Sequence, residues 1–91
     1  MRVVDVKIDG NQGTVILESP KPAAEAIQEL LSPEAKALAL QEARKAGLLQ
    51  AGHGIVPYPY PVDVNGNVVP PDGSSLPVAY RIDIPVVSAA L

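Results

Sequence analysis

Ninety-one residues with a formal net charge of −3 allow one hydrophobic core and show no basic footprint, which disfavours nucleic acid and anionic membrane surfaces as partners. The chain has no Cys, Phe or Trp and three tyrosines, so disulfides, thiolate nucleophiles and Cys-based zinc sites are excluded. A core of Ala, Val, Leu and Ile removes little area per ordered residue, and association, most simply as a homo-oligomer, is the ordinary compensation.

The opening "MRVVDVKIDG" lacks the apolar run of a secretory signal, and no stretch is long enough to span a bilayer, so a cytoplasmic location is expected. Val4, Val6 and Ile8 alternate with Asp5, Lys7 and Asp9, the period of a strand. "DGNQG" then supplies turn residues before "TVILE", which predicts a β-hairpin over residues 3–18.

Ser19, Pro20 and Pro22 are helix-start signals, and Ser32-Pro33-Glu34 repeats the same chemistry: a cap, a proline where no N–H is needed, and an acid near the positive helix end. Two helices are expected within a helical segment at 22–47, over about 22–31 and 33–46. Arg44 and Lys45 suit the carbonyl end of the second, and Gly47 its left-handed C′ position. Ala35, Ala39, Ala43 and Ala46 form a small-residue stripe that reads as a core-facing surface.

Seven of the ten prolines fall between Pro57 and Pro85. Residues 52–75 are expected to form a long proline- and glycine-rich loop, with a minor hairpin turning at Asn65-Gly66. From Leu76 to Val87 the alternation predicts a long strand. Pro77 and Pro85 share a parity within it, so one of its sides lacks two donors and is expected to be a sheet edge, or to be paired only across its middle. The predicted fold class is α+β, a small antiparallel sheet of the N-terminal hairpin and this strand, covered by one or two helices.

Catalytic chemistry has few candidates. His53, in Gly52-His53-Gly54, is the single imidazole, and Asp72 or Ser74 would have to orient it or be acted on by it. That arrangement would make a small enzyme or ligand-binding domain, but the chain has no nucleophile elbow, and a glycine-flanked His also suits a plain helix exit. Asp63-Val64-Asn65-Gly66-Asn67 begins like a calcium loop and then has Val68 where Gly is required and Ser74 where Glu is required, so no metal is expected. "DGNQG" is too short for a phosphate loop, and no cofactor is expected.

"PYPYP" is the most distinctive tract. Its prolines hold the backbone near polyproline II, and Tyr58, Pro59 and Tyr60 form either a rigid arm against another protein or a stiff crossover over the chain's own core. Pro77, Ala79 and Arg81 mark the interrupted strand side, where a partner could add a strand. The leading expectation is a non-enzymatic structural or interaction subunit, working as a homo-oligomer or within a larger assembly. A virion connector or decoration subunit would fit those traits, although no motif points to a virus.

Overall fold

A computed structural model describes residues 1–45, 47, 50–51, 57–70, 73 and 76–87. Its elements, in chain order, are β1 (Arg2–Asp9), β2 (Gln12–Ser19), α1 (Ala23–Leu30), α2 (Pro33–Lys45), β3 (Gln50–Ala51), β4 (Tyr60–Val62) and β5 (Ala79–Val87). The strands form one antiparallel sheet in which β1, β2 and β5 lie side by side, while β3 and β4 both pair with the far side of β5. The architecture is α+β, with the hairpin and the long C-terminal strand backed by two helices.

The β1–β2 loop is Gly10-Asn11, with Gly10 at φ +62 and Asn11 at negative φ. Glycine at the first position alone is the requirement of a type II′ turn, whose twist matches that of the flanking strands. One detail of β1 departs from the sequence pattern. The register shifts between Val3 and Asp5, leaving Val4 as a bulge residue, so Val3 rather than Val4 joins Val6 against the core. An extra residue reverses the alternation on one side of itself, and no residue type announces it.

Both helices begin where the sequence predicts. Ser32 Oγ accepts from Ala35 N at 3.4 Å and donates to the Glu29 carbonyl at 2.6 Å, closing α1 and capping α2 together. Gly47 lies at φ +83 and its N–H reaches the Arg44 carbonyl at 3.1 Å, as a left-handed terminator should. Ala35, Ala39 and Ala43 are fully buried against Val15 and Leu17 of β2, Ile82, Ile84 and Val86 of β5, and Leu30 of α1. Ala46, the fourth member of the stripe, lies outside the described residues.

The β4 strand was hidden in the sequence by Pro61. Asp63 N donates to Asn67 O at 2.9 Å and Val69 N to Pro61 O at 3.0 Å, so Pro61 turns its polar side toward residues 67–69, and its missing N–H removes nothing from the ladder to β5. Tyr60 and Val62 face Arg81 and Ala79 instead, and by alternation Pro77 and Pro85 share that outer side of β5. The expectation of a bare edge, or of pairing across the middle only, is corrected here. The outer side is paired toward both ends, by β4 at Ala79–Arg81 and by β3 at Val86–Val87, and among the described residues no strand lies against Ile82–Pro85. Pro85 has no donor with which to carry the β3 ladder further.

Candidate functional site

The sheet face away from the helices carries a row of four directly opposed residues, Arg2, Glu18, Arg81 and Tyr60, one from each of β1, β2, β5 and β4. Glu18 Oε2 accepts from Arg2 at 2.9 and 3.1 Å, and Oε1 accepts from Arg81 Nε at 3.0 Å. Partial burial pushes the Glu18 pKa up, but the hydrogen bonds from Arg81 and Arg2 outweigh it and hold the carboxyl below its ordinary range. Both of its oxygens are thus committed, and the group is a brace rather than an available base. The hairpin beyond β4 closes over the row. Gly66 lies at φ +81, and a Cβ there would stand 3.3 Å from both terminal nitrogens of Arg81, so the Asn-Gly turn meets both its backbone and its packing requirement at one residue.

Tyr60 completes the row by donating its hydroxyl to Asp83 Oδ1 at 2.6 Å. Burial first, then this hydrogen bond and the Asp83 charge, push its pKa up to about 12. The folded state therefore holds this proton where the unfolded chain would release it, so the stabilisation is complete below pH of about 10 and is lost as pH rises toward about 12. Ultraviolet titration of the wild-type chain will show one tyrosinate forming near pH 12, and Tyr60→Phe will remove that step. A wild-type tyrosinate titration with no step near pH 12 would contradict the geometry.

A second polar cluster lies at α1. Lys21 Nζ and Glu29 Oε2 are 2.6 Å apart, and the Met1 amino group is 3.2 Å from Oε1. The Lys21 hydrogen bond, opposed by burial, draws the Glu29 pKa down to about 2. The Ser19 hydroxyl is fully buried; it lies close enough to assist this shift but outside good hydrogen-bond geometry. An open groove of about 520 Å³ runs beside this cluster, with Glu25 and Glu34 also in its lining.

The residues singled out in the sequence separate into distinct settings. Tyr58 is exposed, Pro59 is buried, and Tyr60 is half-buried in the row. Pro77 is exposed, Ala79 is buried beside its ladder partner Val62 of β4, and Arg81 is held by Glu18. Strand addition at Ala79–Arg81 would have to displace β4, which already pairs there. His53, Asp72 and Ser74 lie outside the described residues. Asp63, the first residue of the calcium-like stretch, spends its Oδ1 on the N–H groups of Asn65 and Asn67, at 2.9 and 3.0 Å. That is an Asx turn, and among the described residues no group of three potential ligands could hold a metal ion.

What the sequence did not single out is the apolar character of the corner this segment builds. Val64, Val68, Leu76, Val78 and Tyr58 are 82, 61, 83, 55 and 67% exposed, more than any other large hydrophobic side chain described. Val68 bridges to Val62, and Val78 N donates to the Val62 carbonyl at 2.9 Å, so chain segments from both sides of the hairpin meet at one buried valine. A groove of about 320 Å³ lies beside Val78, between Pro20–Ala23 and Pro77–Tyr80. The available signal was the near absence of charge from Pro57 to Val78, where Asp63 and Asp72 are the only Asp, Glu, Lys or Arg residues. No helix among the described residues is long and apolar enough to cross a membrane. Comparison with models of protein families, with curated proteins and with solved structures finds no match.

Proposed function

We propose that this chain is a non-enzymatic protein-interaction subunit that docks through its hairpin corner, as a homo-oligomer or within a larger assembly. The observation that carries this reading is the set of five large apolar side chains, each more than half exposed, gathered between Tyr58 and Val78. Exposed apolar side chains with little charge around them are the composition of an interface centre. Prolines 57, 59, 61, 70 and 77 restrict the backbone before contact, which lowers the ordering cost of association. Among the described residues near the corner, Glu18, Asp63, Asp83 and Tyr60 already serve the fold.

Val64→Glu combined with Leu76→Glu tests the reading. Both positions are more than four-fifths exposed, so the variant will keep its stability within roughly 1 kcal/mol. Isolated natively from the cells that make it, the wild-type chain will elute with a companion or at a larger multiple of its own mass than the variant, which will lose whatever the corner holds. Equal native masses for the two would overturn the proposal.

A further inference from the structure

We infer that β1 is a self-recognition edge, along which two copies of this chain pair antiparallel about a two-fold axis at Val6 and join their sheets into one. This surface lies across the sheet from the hairpin corner, so it extends the reading of the chain as an interaction subunit, and the two can fail separately.

The far side of β5 is occupied at both ends and interrupted by Pro85, whereas β1 runs for eight residues without a proline and, among the described residues, pairs on one side only. Alternation from the β2–β5 ladder directs the polar groups of Arg2, Asp5, Lys7 and Asp9 toward β2, and those of Val6 and Ile8 outward. The Val6 N–H confirms that direction, because it is held by the carboxylate of Asp5 at 2.8 Å and not by the neighbouring strand.

Bulges and charged side chains on an edge ordinarily discourage pairing. Here their order does the reverse for one register. Setting the bulge residue Val4 aside, the strand reads Arg2, Val3, Asp5, Val6, Lys7, Ile8, Asp9, a charge palindrome centred on Val6. Turned about Val6, Asp5 meets Lys7 of the second copy, Arg2 meets its Asp9, and Val3 meets its Ile8. Every pair also keeps to one face. Arg2, Asp5, Lys7 and Asp9 share the face opposite the helices, while Val3, Val6 and Ile8 share the helix side, as their pairing with β2 shows. Sliding so that Asp5 or Lys7 lies on the axis sets that residue against its own copy, a like-charge contact, and an axis midway between residues opposes side chains of different faces. Ile8, 45% exposed in the single chain, gains a cover, and the Asp5 carboxylate moves from its own strand's N–H to a cation. The hairpin corners then lie at the two outer ends of the joined sheet.

Charge exchange tests this directly, by sedimentation equilibrium with circular dichroism as a check on folding. The wild-type chain is expected to dimerise. Asp5→Lys and Lys7→Asp each set like charges opposite one another at both symmetry-related contacts and will weaken self-association roughly thirtyfold. An equimolar mixture of the two single variants restores unlike pairs and will form a heterodimer, and the double variant D5K/K7D will form a homodimer again. Recovery by mixing is not a result that damage to the fold could produce. A monomeric wild-type chain, a single variant that dimerises as well as the wild type, or a mixture that stays monomeric would overturn the inference. D5K and K7D leave the hairpin corner intact, and even a monomeric wild-type chain leaves standing its docking within a larger assembly.

Discussion

Leu17→Ala will remove about 2–5 kcal/mol of folding stability. Leu17 is fully buried, directly opposite Val3 of β1 and Ile82 of β5, within the cluster that α2 covers with three alanines. The lost leucine cannot be replaced by inward movement of its neighbours, because two are held in strand ladders and the alanines have no side chain to extend. A domain of this length has on the order of 5–14 kcal/mol in all, so a large part of the margin rests on one residue. Urea denaturation will show the midpoint falling steeply, while Leu76→Ala, at a position almost wholly exposed, will leave it nearly unchanged. A loss below about 1 kcal/mol for Leu17→Ala would place the core elsewhere.

Ala39→Leu will also destabilise, by about 1–3 kcal/mol, through crowding rather than vacancy. Ala39 is fully buried midway along the stripe of α2 that rests on the sheet. Three added carbons must push the helix away from β2 and β5 or force side chains off their rotamers. At an exposed helix position the same change costs little, since Ala and Leu are both strong helix formers. Lys36→Leu, on the solvent side of α2, is therefore the control. Thermal denaturation will separate them, and equal midpoints would mean that α2 does not lie against the sheet.

These two sites show how far local sequence carried. The helix stripe, the Ser32 cap, Gly47 and the Asn65-Gly66 turn were legible because each is decided by a few neighbouring residues. Periodicity placed β1, β2 and β5, but it set Val4 on the face of Val6 and Ile8, where the bulge puts Val3. β4 was missed because Tyr60-Pro61-Val62 reads as polyproline II, and only its partners across space show that the proline points away from β5. The Arg2–Glu18–Arg81–Tyr60 row lies still further from local signals. Its members are brought into line by register alone, with Glu18 and Arg81 some sixty positions apart along the chain. Arg81 and Tyr60 drew attention in the sequence as parts of a strand edge and a stiff arm, and the structure uses both to hold the sheet together.

The hairpin corner differs from the ionisable clusters in having side chains that the fold does not use. Glu18, Glu29, Asp63 and Asp83 are engaged within the chain, while the apolar side chains of the corner are left facing water. Contact with another protein is the reading that gives those side chains a role. Site-specific photo-crosslinking in the producing cells tests it most directly, with the photoreactive residue placed at Val64, at Leu76, or at the exposed Lys36 of α2. The account predicts one discrete adduct from positions 64 and 76 and none from 36. No adduct at the hairpin positions, or the same adducts from all three, would contradict it.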